Sequence, residues 1–163
     1  GGNRTLIGRI LHWAAGFFGG YFFYSLISKE KNFTFIIRFL GVFYAYFLLG
    51  LVLNWVFTPI TAAADFGFVL NELSSEAQNA LLRDFTSFFV ATFLFSILGV
   101  ITLNPVWFFS AGIVYIGAGI FNLVAIYAHG TGFNQIFIGE FVLGSWPIIL
   151  GLVIYQKQKK AEE

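Results

Sequence analysis

Five apolar runs, each about as long as a bilayer is thick, decide what this chain can be. A hydrocarbon core of roughly 30 Å asks for about 20 consecutive apolar residues per helix. The runs cover approximately residues 6–27, 35–57, 85–103, 106–128 and 136–155. Between them lie short polar breaks: "SKEKNF", "NP" at 104–105 and "HGTGFNQ". With no water to pair exposed backbone groups, apolar runs of this length satisfy their own N–H and C=O groups as helices. The sequence therefore predicts an all-α fold, a polytopic integral membrane helical bundle of five, or four, transmembrane helices with no soluble domain.

Composition supports this. Only 10% of residues are charged and 58% are hydrophobic, against about 25% charged in an ordinary soluble domain. A formal net charge of +1 with nine Lys and Arg provides no basic patch, so no nucleic-acid partner is expected. The sequence has no cysteine, which excludes disulfides, thiolate nucleophiles and cysteine-held metal or iron–sulfur centres. Phosphate-binding glycine loops, dinucleotide fingerprints and HExxH are missing too, and no metal site is expected.

The single long connection, residues 58–84, is not featureless. Thr58-Pro59 has the form of an N-cap followed by proline at the first helical position. Leu70, Leu73, Ala77, Leu81 and Phe85 recur every three or four residues, which predicts a helical stripe. A short amphipathic helix lying along the interface is the expectation, although the same stripe would serve for packing on the bundle or on a partner. At Asn104-Pro105 the proline breaks a run too long for one crossing. Two crossings joined by a very short turn are expected, with a span plus a re-entrant segment as the alternative.

Orientation follows the distribution of Lys and Arg. One side carries Arg4, Arg9 and Arg83; the other carries Lys29, Lys31, Arg38, Lys157, Lys159 and Lys160. The richer side is expected to be cytoplasmic or its equivalent, placing the N-terminus outside and the C-terminus inside.

Polar residues within the spans are the candidate functional groups, because such residues usually face a bundle interior, a partner or a water-filled path. His12, Asn54, Asn122, His129 and Glu140 all fall toward the same side, together with Arg83 and Asp84. His12 and His129 are the residues with which a haem b could be ligated, and a quinone or a pigment are further conceivable cofactors, although the sequence requires none. Glu140 is the acidic residue well inside an apolar run; it could relay protons, or pair with His129 or His12. Asn54 and Asn122 suit interhelical hydrogen bonds. Pro147, in mid-span, frees the carbonyl of Leu143 and predicts a kink.

Small residues form the other pattern. Gly8, His12, Gly16 and Gly20 are spaced by four and share one face of the first span. Span four contains Ala111, Gly112, Gly117, Ala118, Gly119 and Ala125; span five contains Gly139, Gly144 and Gly151. Such faces let helix backbones approach closely. Gly8, Gly16, Gly20, Ala111, Gly119 and Gly144 are the expected packing positions, with His12 as a polar anchor. The leading expectation for function is a non-catalytic accessory subunit packed against other integral membrane subunits and lipids. A haem- or quinone-binding redox subunit and a small transporter or channel component are the alternatives.

Overall fold

The computed structural model describes residues 30–133 and 135–163. The first span, and with it Gly8, His12, Gly16 and Gly20, lies outside the described residues. The chain divides into two compact units, Gly1–Ile37 and Arg38–Glu163. Of the first, the structure describes the opening of one helix, α1 (Glu30–Phe57), where Phe33 and Ile37 are buried one turn apart. The second holds the remainder of α1, a short helix α2 (Pro59–Asp65), a 3-10 turn (Leu70–Glu72), α3 (Ser75–Thr102), α4 (Pro105–His129) and α5 (Ile136–Glu162). The described residues contain no strand. Four helices, α1, α3, α4 and α5, are long and apolar enough to cross a membrane.

The long connection folds differently from the sequence expectation. Thr58 does occupy the N-cap position with Pro59 next, but its hydroxyl makes no cap bond. It donates instead to the carbonyl of Asn54 at 3.0 Å, because the preceding helix leaves that carbonyl one turn behind it. After α2 the chain turns at Gly67, whose φ of +85° is accessible to glycine at little cost. The true helix start is Ser74, whose side chain accepts from the backbone N–H of Ala77 at 3.2 Å. No breaker intervenes from there to Thr102, so residues 75–84 are the first turns of α3 and not a separate interfacial helix. The stripe is split between the 3-10 turn and α3, and Leu70, Leu73, Leu81 and Phe85 pack on the bundle core. Arg83 and Asp84, which look like the polar edge of a loop, sit on the outer face of α3 and pair with each other at 2.8 Å.

Residues 85–128 make two separate helices, closed by a turn of two residues. Leu103 takes the left-handed conformation (φ 52°) and its N–H returns to the carbonyl of Gly99. Asn104 then caps α4, its side chain accepting from Val106 N–H at 3.2 Å, with Pro105 in the first helical position. α4 stops at Gly130, again left-handed. α5 runs past the expected end of its apolar stretch, through the lysine tail to Glu162.

The core follows one face of α1: Tyr44, Leu48, Val52 and Trp55 recur at helical spacing and are buried against Ala62, Ala63, Leu70, Phe89, Ala111 and Tyr115. Between α4 and α5 the backbones meet at glycine. A Cβ added to Gly112 would stand 2.7 Å from the carbonyl oxygen of Gly144, and one on Gly144 would stand 2.9 Å from the backbone nitrogen of Ile116. Close approach of this kind is how membrane helices gain contact without a hydrophobic drive from lipid. Gly41 and Gly99 leave room for the fully buried ring of Phe108.

Candidate functional site

The polar groups inside the bundle are spent first on each other. Tyr44 Oη of α1 donates to the carbonyl of Leu143 in α5 at 2.6 Å. Pro147 cannot return an N–H to that carbonyl, so the phenol supplies the donor the proline removed. Between α3 and α4, Thr92 Oγ1 and Tyr115 Oη lie 2.6 Å apart, both residues buried. The Thr92 hydroxyl proton is directed to the carbonyls of Phe88 and Phe89 behind it, leaving Tyr115 as the donor of the pair. Asn122 Nδ2 of α4 donates to Glu140 Oε2 of α5 at 3.4 Å. At the end holding the α3–α4 turn, Arg38 Nε donates to the carbonyl of Val100 at 3.1 Å and Gln158 Nε2 to that of Leu103 at 3.2 Å.

At the other end the helices enclose a cleft of about 520 Å³, a size typical of small-molecule sites. Phe47 and Leu51 of α1, Phe85, Phe88 and Phe89 of α3, and Tyr115 of α4 form its walls. Phe66, just beyond α2, lines it too and meets Phe85 edge-to-face at 5.1 Å between ring centres. Beneath these rings, Trp55 stacks on Phe85 at 4.7 Å. Its indole Nε1 is buried and has no hydrogen-bond partner among the described residues. Three acidic residues, Asp65, Asp84 and Glu140, and Gln135 also border this largely apolar cleft. No lysine, arginine or histidine lines it among the described residues. No three His, Asp or Glu side chains gather closely enough among the described residues to ligate a metal ion.

The residues singled out by sequence are dispersed accordingly. Glu140 lines the cleft, and the group bonded to it is Asn122, not His129, which ends α4 exposed to the surroundings. Asn54 is exposed one turn before the end of α1, its side-chain oxygen 3.4 Å from Thr58 Oγ1. Ala111 is fully buried in the core. Gly119 lies against the ring of Phe141 and Gly144 against Ile116. Gly117 and Gly139 face open space, the latter along the cleft. Sequence reasoning missed Asp65 and Phe66 as parts of the cleft. The signal available was the run "AAADFGF", an acid beside aromatics in an otherwise apolar stretch.

Fold and site together define a polytopic α-helical membrane protein with an aromatic-walled cleft, bordered by three acidic residues, at one end of its bundle. No family model matches the chain, and no match was found among curated proteins or among solved structures.

Proposed function

We propose that this chain is a non-catalytic subunit of a larger membrane assembly, packed against other transmembrane subunits and against lipid. The observation that carries this reading is the outward face of α1. Phe47, Gly50, Leu53 and Phe57 follow one another at helical spacing and are exposed among the described residues. A groove of about 460 Å³ runs along this face beside Gly50, where an added Cβ would meet nothing within 4 Å. A glycine flanked by large rings admits a second helix to close contact. Asn54, on the rim of the same groove, offers that helix an amide, a group that lipid tails leave unsatisfied. The Lys and Arg bias favours an orientation with the C-terminal tail on the cytoplasmic side or its equivalent.

Purification in a mild detergent, followed by mass spectrometry of what co-purifies, tests the proposal. A defined set of membrane partners is expected. Gly50→Leu with Asn54→Leu should release them while the helical circular dichroism spectrum stays unchanged. A solitary monomer from native membranes overturns the reading.

A further inference from the structure

Three features of the cleft, taken together, select one kind of ligand. Its walls are aromatic, and the faces of such rings attract cations. Acidic residues border it from three separate elements: Asp65 ends α2, Asp84 is on α3 and Glu140 is on α5. Arg83 is paired with Asp84 on the outer face of α3, which leaves Asp65 and Glu140 as acids with no lysine, arginine or histidine in the cleft lining among the described residues. Acidic side chains at a membrane helix end or interior are costly and mark a path or a partner. The third feature is spacing. The acidic residues bordering the cleft do not converge into a metal-ligating set among the described residues. A bare metal ion is therefore too small to use them together, whereas a cation spread over an organic body is not.

We propose that the cleft binds a lipophilic organic cation, an amine or quaternary ammonium amphiphile from the membrane phase. Its apolar body lies among Phe66, Phe85 and Phe88, and its charge faces Asp65 and Glu140. Asn122 is a positioning residue: its amide holds the Glu140 carboxyl group from the side of α4. This assignment goes beyond the subunit reading and does not depend on it: the cleft and the groove beside Gly50 share Phe47 and Leu51, but none of the residues substituted in the test below lines the groove.

The test uses the full chain in phosphatidylcholine nanodiscs and a rigid probe, radiolabelled tetraphenylphosphonium. Tetraphenylborate, of the same shape and opposite charge, is the control. Saturable binding of the phosphonium at about one per chain is expected, with only linear partitioning of the borate. Asp65→Asn with Glu140→Gln should weaken the phosphonium at least about tenfold, and Phe88→Leu several-fold. Glu140→Asp should stay within about threefold. Gln135 is exposed and makes no side-chain cap bond at the start of α5, so Gln135→Lys introduces a cation into the lining without touching the core. It should weaken the phosphonium and admit the borate. Borate binding as tight as phosphonium binding overturns the proposal. So does a Kd unmoved in the double variant, or no saturable binding by a chain with native circular dichroism.

Discussion

Removing the Tyr44 hydroxyl tests whether the bend at Pro147 is supported from a neighbouring helix. Tyr44 is fully buried and its oxygen is 2.6 Å from the Leu143 carbonyl. Tyr44→Phe keeps the ring, which packs near Trp146 at 5.8 Å, and deletes one donor. The carbonyl left behind has no N–H at position 147 to return to. An orphaned buried acceptor costs about 1–3 kcal/mol in a protein interior. Interhelical hydrogen bonds in membranes average about 0.6 kcal/mol, with a maximum near 1.7. The two ranges overlap at about 1–1.7 kcal/mol, about a five- to eighteen-fold drop in the folding equilibrium constant. The discriminating measurement is a double-mutant cycle with Pro147→Ala. Alanine restores an N–H one turn after Leu143, so Tyr44→Phe should then cost less than about 0.5 kcal/mol. Reversible unfolding of the detergent-solubilised chain by sodium dodecyl sulfate, followed by tryptophan fluorescence and circular dichroism, gives all four values. An equal cost of Tyr44→Phe in both backgrounds would refute the claim that the phenol replaces the missing proline donor.

Two further expectations use the same titration. Gly112→Ala should destabilise by about 1–3 kcal/mol, because the new Cβ meets the Gly144 carbonyl at 2.7 Å and overpacking of this kind displaces backbone. Gly117→Ala, facing open space on the same helix, should be neutral or stabilising by up to about 1 kcal/mol, the helix-propensity difference; a loss as large as at position 112 would contradict the assigned packing face. At the α3–α4 contact, Thr92→Val and Tyr115→Phe should each cost about 1–2 kcal/mol, while the double variant costs little more than either, since only a single variant strands a buried partner. Simple additivity would show that the 2.6 Å contact carries no coupling.

Much of this architecture can be read from hydropathy, because the bilayer imposes a length on every helix. The break at Asn104-Pro105 is legible for the same reason as the spans: cap, proline and turn residues act locally, and the structure places Asn104 and Pro105 in those roles. The start of α3 is less legible. Arg83 and Asp84 resemble a boundary, and only their mutual pairing on an outward face lets the helix run through them. The site is less legible still. That Pro147 frees the Leu143 carbonyl follows from chemistry, but that Tyr44, 99 positions earlier in the chain, answers it depends on how helices are arranged. Gly112 and Gly117 are equivalent in composition, yet one touches a neighbouring backbone and the other faces open space. Glu140 could by depth pair with His129, yet it meets Asn122, since depth along a span does not determine which faces meet.

The two-residue turn between α3 and α4 also bears on how such a chain enters the membrane. Leu103 and Asn104 leave no slack between Thr102 and Pro105, so neither helix can cross far while the other remains behind. The pair is built to insert as one hairpin, carrying its tip across in a single event. That tip is light: no charged side chain lies between Asp84 and Glu140 in the sequence. During synthesis the hairpin would therefore wait until α4 has emerged, and lengthening the turn with flexible residues should uncouple the two insertions without altering the finished bundle.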